Sequence, residues 1–338
     1  MGESGTGQAL FQLPEQAKYF PVKGSFYQVE AGLHPLGTDF GNGRLDHQII
    51  QLNNFFIRYR ANKLACRAER LAKYYATHDL ASERRAACCL RILQVLLEEH
   101  PSFFSWEGRS SRSGKLLCHL TQEELFFEDG VLVKQVANVV PPYVDGFDAL
   151  ACQIPEDLAV VCREGTRDWL GAIHLCAAGH WAAEGKIGKD FSEVHSPVPG
   201  IAGITRAARA MVHAMIQKGP FVRFVWGFGS DDRLNHHPDP PPGWEISEWR
   251  GRSFQNVPAG ECPFFLRVER QVTLGLAESD AALFFIHVSY WDGREIRDDV
   301  AKREKLLQVL KTMDEPSRAY KGLTESMDPL VRWLSQGA

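Results

Sequence analysis

No apolar run in the 338-residue sequence reaches the roughly 18 residues that a membrane-spanning helix needs. The longest candidates, such as 281-AALFFIHVSYW-291, have the length of a strand. A basic excess is also missing: 38 Lys and Arg stand against 42 Asp and Glu, mixed along the chain, for a net charge of −4. That balance argues against nucleic acid or an anionic membrane as partner. The eight cysteines form no C-x-x-C pair, so the ligand spacing favoured by structural zinc and iron–sulfur clusters is absent. With Cys88 and Cys89 adjacent in a helical run, they read as reduced, buried thiols. The start, MGESGTGQALFQLPEQ, has no basic segment and no apolar stretch, which leads us to expect a cytoplasmic protein without a secretory signal. Gly2 and Thr6 meet the minimal spacing of a myristoylation pattern, but no basic cluster supplies a second membrane signal. The glycine-rich GESGTG and GFGSDD lead into neither a GK[ST] nor a strand–turn–helix dinucleotide fingerprint, and no G-x-S-x-G elbow occurs. The chain therefore carries no nucleotide, flavin or serine-hydrolase signature of its own.

What is present is ordinary globular composition, 44% hydrophobic and 24% charged, enough for one large domain or two modest ones. Apolar residues recur at three- and four-residue spacing from Leu45 to about Ala76 and again from Ala81 to Glu99, which predicts two helices forming an α-hairpin. After about residue 127 the texture turns to strands, and FFEDGVLVKQ has an Asp-Gly turn between a Phe pair and a β-rich run. DLAVVCR and DWLGAIHLCA flank a Glu-Gly-Thr-Arg turn, FVRFVWGF follows a helix over 201–217, and FFLRVERQVTL and ALFFIHVSYW flank an Ala-Glu-Ser-Asp turn. About five hairpin-connected strands with helices to one side predict an α+β fold built on an antiparallel sheet. Residues 229–263 form a long polar loop, and loops of that length inside a domain are usually functional or disordered. The tail from about Asp298 to Leu334 is helical again. We read 1–126 as an N-terminal arm and helical hairpin, 127–298 as the core and 299–338 as a C-terminal helical segment.

Period two in LRVERQVTL puts Leu266, Val268, Arg270, Val272 and Leu274 on one face, and Arg267, Glu269, Gln271 and Thr273 on the other. The bland account of the second face is charge turned to water. Arg270 is the odd member, since a guanidinium on an apolar face needs a buried anion. Arg223 in FVRFVWGF has apolar neighbours on its own face, either as an edge ion pair or as a cationic donor in an apolar pocket. His174, inside a strand, reads as a packed core histidine. His174, His180 and His195 do not match the close pairs of a zinc protease, and 236-HHPD lies in a solvated loop. His195 stands in FSEVHSPVPG, a run neither helical nor alternating, and Lys186 in EGKIGK is either surface charge or the partner of an anion near it.

Four segments in this order resemble the haem-binding alpha subunit of haem-dependent oxidative N-demethylase and its relatives. They are AGLHPL at 31–36 followed by Asp46, then W..EGKIGKDFSEVHSPVPG at 181–200, RFVW at 223–226 and RVERQ at 267–271. The resemblance implies a PAS-like fold, a curved antiparallel sheet with haem b against it. It also implies an enzyme using O2 and electrons from a separate reductase to oxidise a small secondary amine at an N-methyl group. By that resemblance His195, held by Pro197 and Pro199 in a rigid loop, is the proximal haem ligand. Lys186 and Arg270 pair the propionates, and Trp226 and Pro197 lie beside the cofactor. Arg223, Glu269 and Gln271 then line the distal pocket, with Arg223 polarising bound O2 and Glu269 holding a cationic amine or moving a proton.

The sequence departs from the family pattern at Val225, where an amide is usual, and at Ala178-Gly179-His180, where a Pro-Ser step is usual. Both changes bear on the substrate more than on haem. A haem-binding sensor without turnover is the alternative, opposed by the absence of an output domain or coiled-coil linker. An α+β protein that has lost its cofactor is a third reading, opposed by the presence of His195.

Overall fold

The computed structural model describes residues 12–24, 26–251, 254 and 262–336. The Gly2/Thr6 pattern, the GESGTG run and part of the 229–263 loop lie outside them. The fold is α+β with two antiparallel sheets. The larger is built on five long strands, β7 (Asp157–Glu164), β8 (Arg167–His174), β9 (Phe221–Gly229), β10 (Phe265–Leu276) and β11 (Ala281–Asp292). Two short strands, β1 (His34–Pro35) and β2 (Tyr75–Thr77), extend its edges, giving the order β1-β9-β10-β11-β7-β8-β2. The predicted five strands are thus a seven-stranded sheet. The two additions are too short to show a period and are placed only by their partners, Phe221–Val222 and Ala172–His174.

A second, four-stranded meander was foreseen only at its last turn, in FFEDGVLVKQ. It comprises β3 (Phe104–Gly108), β4 (Gly114–Cys118), β5 (Glu123–Glu128) and β6 (Val131–Val136). Its last turn, Asp129-Gly130, has φ of 47° and 82°, the left-handed pair that a two-residue type I′ hairpin requires. Residues 126 and 127, where the sequence changes texture, both lie within β5.

The N-terminal helices are α1 (Phe56–Tyr74) and α2 (Ser82–Glu99). Two expectations are corrected here. Strand β2 intervenes between them, so they are not joined as a simple α-hairpin. The first helix begins at Phe56 rather than Leu45. Residues 48–51, apolar at helical spacing, are instead held by distant side chains. Glu99 accepts from the backbone N–H of Ile49 (2.8 Å) and Ile50 (3.0 Å), and Glu156 from that of Gln51 (2.7 Å). Arg270 donates to the carbonyls of Gln48 (2.5 Å) and Ile49 (3.3 Å).

The remaining helices are α3 (Gly146–Ala151), α4 (Phe191–His195), α5 (Ala202–Gln217), α6 (Ile246–Trp249), α7 (Gly293–Asp298), α8 (Val300–Thr312), α9 (Glu315–Tyr320) and α10 (Met327–Ser335). Val222, Val272, Leu274, Leu283 and Phe285 pack on one face of the large sheet with α2, α3 and the meander. Further along that face, Phe264, Leu266 and Val268 pack against Tyr19 and Val22 of the N-terminal arm and against Leu306, Leu310, Leu330 and Leu334 of α8 and α10. On the opposite face, α5 lays an apolar stripe of Met211, Val212, Met215 and Ile216 over Ala282. Its end crosses β10 at Gly275, where a Cβ would stand 2.2 Å from the carbonyl oxygen of Ile216. The helix thus covers one end of this face and leaves Arg267, Glu269 and Gln271 beyond it.

Candidate functional site

β9, β10 and β11 are in simple antiparallel register, so the residues sharing the α5 face follow directly. Arg223 lies opposite Gln271, Val225 opposite Glu269 and Gly227 opposite Arg267, with Ile286, Val288 and Tyr290 of β11 alongside. The sequence assigned Arg267, Glu269, Gln271 and Thr273 to one face, and the register agrees. They do not face open water: Arg267 and Thr273 are buried, and Glu269 and Gln271 are half-buried.

Glu269 is the hub. One carboxylate oxygen accepts from Gln271 Nε2 at 2.7 Å, and the other pairs with Arg267 Nη2 at 2.9 Å. Arg223 lies within its field, and the carboxylate offsets part of the burial that weakens that guanidinium's hold on its proton. Arg223 Nε is buried without a partner among the described residues. A residue that the sequence analysis missed, Lys321, closes this end. Its ammonium donates to the carbonyl of Trp226 at 2.6 Å and lies 4.4 Å from the Trp226 ring centroid and 5.5 Å from that of Tyr27. Burial pushes its pKa down to about 8, and Glu269 opposes the shift. Arg267 thus pairs with this carboxylate, and Arg223 and, from beyond the edge strand, Lys321 feel its field.

His195 is carried by α4 and not by the loop that the sequence suggested. The helix starts with a capping box: Asp190 accepts from the N–H of Glu193 (2.8 Å), and Glu193 accepts from that of Asp190 (3.1 Å). Asp168 of β8 then accepts from the N–H of Phe191 (2.8 Å), tying the helix to the sheet. One turn later His195 Nδ1 meets the Phe191 carbonyl at 2.7 Å, and its ring stacks on that of Phe191 with centroids 4.3 Å apart. A carbonyl only accepts, so Nδ1 carries the proton and Nε2 keeps its lone pair. Burial lowers the pKa of His195, and the nearby Arg223 and Lys186 lower it further, so the ring is neutral at pH 7. Pro197 follows as an exposed residue in the turn after α4. Lys186 donates to the carbonyl of Val194, and burial lowers its pKa as well.

Two residues predicted to lie at the cofactor are on the other face of the sheet. Arg270 is 2% exposed, and the partners of its guanidinium are backbone carbonyls rather than an anion. Trp226 packs with Tyr27 and Phe228 on that same face. His174 is the packed core histidine expected: Nε2 lies 3.2 Å from Asp148, which also binds Arg67 at 2.8 Å. Despite burial, Cys176 and Asp148 raise its pKa to about 9. Asp148, Cys152 and His174, like Asp157, His174 and Cys176, are close enough to share a metal. Arg67 and Lys63 already stand beside those carboxylates as countercharges. Among the described residues no helix is long and apolar enough to cross a membrane.

A family model described as haem-dependent oxidative N-demethylase, alpha subunit-like, matches residues 43–331, a span that takes in Lys186, His195, Arg223, Arg267, Glu269 and Gln271.

Proposed function

Because this chain belongs to the haem-dependent oxidative N-demethylase, alpha subunit-like, family, we propose that it is a haem-dependent oxidoreductase that removes an N-methyl group from a small amine, using O2 and electrons from a separate reductase. The observation carrying this reading is His195, a neutral imidazole with Nδ1 fixed on the Phe191 carbonyl and Nε2 bare. A backbone acceptor on the far nitrogen is what orients a metal-bound histidine. The residues present fit haem b in two further ways. Two guanidiniums, Arg223 and Arg267, share the face with the single carboxylate of Glu269, which suits a group bearing propionates. Buried guanidinium donors on Arg223 and Arg267 have no partner among the described residues. The five long strands stand in the sheet in the order 2-1-5-4-3, and the second connects to the third through α4 and α5, which suits a PAS-like core.

His195 would ligate the iron, and haem, when bound, supplies the centre at which O2 is activated. The protein's own groups do the rest. The Glu269 carboxylate holds the substrate ammonium or takes its proton, and Gln271 and Arg267 fix its two oxygens. Arg223, half-buried on the same face, offers a cationic donor where negative charge develops on oxygen. Val225, directly opposite Glu269, gives the substrate an apolar wall. In the balanced reaction the N–CH3 bond is broken to give the secondary or primary amine and formaldehyde. One oxygen atom of O2 enters the aldehyde and the other leaves as water, with two electrons and two protons supplied from outside.

The test is absorption spectroscopy of the reconstituted protein, oxidised, reduced and with CO, beside His195→Ala. We expect a histidine-ligated Soret band that the variant loses, and Glu269→Gln that keeps the band but loses substrate-dependent O2 consumption. A wild-type protein that takes up no haem, or an unchanged spectrum in His195→Ala, overturns the reading.

A further inference from the structure

We propose that Arg267 is a carboxylate-binding residue, forming with His180 a built anion site at the end of the face away from α5. Arg267 is 8% exposed. Its Nη2 is engaged, donating to the Ala177 carbonyl at 2.6 Å and pairing with Glu269 at 2.9 Å. Its Nε and Nη1 are buried with no partner among the described residues. A guanidinium left with unmatched donors in the interior is costly, and an anion is the ligand that satisfies it best.

The surroundings hold those donors in place. The backbone of Gly179 lies against the guanidinium, and a Cβ there would come within 3.1 Å of Nε. The next residue, His180, has φ of 64° and is clamped to the long loop: its N–H donates to the His236 carbonyl (3.0 Å), and the N–H of His236 donates to the Ala178 carbonyl (3.0 Å). Burial, His236 and Arg267 keep the His180 ring neutral, and a neutral imidazole still carries one N–H to donate. The other carboxylate nearby, Asp231, is already taken by His236 (2.9 Å) and Arg233 (3.0 Å). Among the described residues Glu269 is the carboxylate that Arg267 pairs with and whose field Arg223 feels, so two guanidiniums share one carboxylate and the face has room for a further anion.

Two sources offer that chemistry. One is a propionate of the cofactor. The other is a carboxylate on the substrate, making it an N-methylated amino acid whose ammonium meets Glu269 while its carboxylate meets Arg267. Both sources rest on the function proposed above; the anion site itself does not. Three measurements on wild type and Arg267→Gln separate the cases: calorimetry of propionate binding to the haem-free protein, haem affinity, and the spectral shift of the haem-loaded protein with N-methylglycine against dimethylamine.

We expect Arg267→Gln to weaken propionate binding at least tenfold. A parallel tenfold loss of haem affinity assigns the site to the cofactor. Unchanged haem affinity with a tenfold loss of N-methylglycine binding alone, dimethylamine being unaffected, assigns it to the substrate. If the protein takes no haem yet propionate binding depends on Arg267, the functional reading falls and this one stands. Changes below twofold in all three overturn it. Where Arg267→Gln does not fold, Gly179→Ala, which crowds the guanidinium, is read in its place with the same expected direction.

Discussion

Replacing Arg270 by methionine separates its structural use from a cofactor role. Its guanidinium makes two charge-assisted bonds to the carbonyls of Gln48 and Ile49 and lies 6.0 Å from the Tyr19 ring centroid. Bonds to charged groups contribute about 1.5–3 kcal/mol each, and methionine leaves both carbonyls without that partner. Removing a buried cation also relieves its own desolvation, so the net loss is about 3 kcal/mol, at the low end for a broken buried ionic contact. The loss depends on pH through Glu99, which holds the next two N–H groups of the same segment. Burial raises the pKa of Glu99 to about 7, and Arg270 pulls it down. A carboxylate with a folded pKa above its unfolded value near 4.5 binds more protons when folded. Its contribution to stability therefore falls as pH rises from about 4.5 to 7, by about 3 kcal/mol in all. Without Arg270 that fall extends above pH 7, so Arg270→Met should cost more at pH 8 than at pH 5. Urea unfolding followed by tryptophan fluorescence at both pH values measures this, with haem uptake recorded on the folded variant. A loss under about 1 kcal/mol, or a larger loss at pH 5, refutes the reasoning. Loss of haem from a variant of wild-type stability would put Arg270 back with the cofactor.

Three further outcomes follow from the geometry. Lys321, held at about 8, makes the folded state bind fewer protons than the unfolded chain between pH 8 and 10.5, so stability rises with pH there; Lys321→Met should flatten that rise in thermal melts and remove any activity limb near pH 8. Gly275→Ala sets a methyl against the Ile216 carbonyl and should cost about 1–3 kcal/mol in chemical denaturation, with α5 displaced. Asp190→Ala removes the cap of α4; a loss of about 1 kcal/mol with weaker haem retention is expected, and unchanged retention would show that His195 is oriented without the helix.

The long strands were legible because each carries its own period and is bounded by a turn whose residues suit it, as at Gly165-Thr166 between β7 and β8. The meander, its last turn apart, was not, because β3 and β4 are five residues each and read FSWEG and GKLLC, with little alternation. Residues 48–52 misled for a different reason: their spacing fits a helix, but Glu99, Glu156 and Arg270 claim the backbone groups a helix would use. In β10, alternation sorted the charges onto the correct faces. It could not tell that Arg270 would meet carbonyls, or that the face of Arg267 would be roofed by the Ala178–His180 segment. His195 was singled out, but its helix was overlooked, although Asp190-x-x-Glu193 was a readable cap. Lys321 had no local signal, since only the return of the chain past β9 brings it to Trp226.

That return has a further consequence during synthesis. One face of β9 and β10 is covered by residues 17–22 from the start of the chain and by α8 and α10 from its end. When β11 leaves the ribosome, Leu266, Val268 and Phe264 still lack their partners from about forty residues yet to be made. That side of the sheet cannot be buried until α8 and α10 have emerged. A polypeptide stopped after β11 would present this bare surface to chaperones, so the emergence of α8 and α10 is the step that covers it.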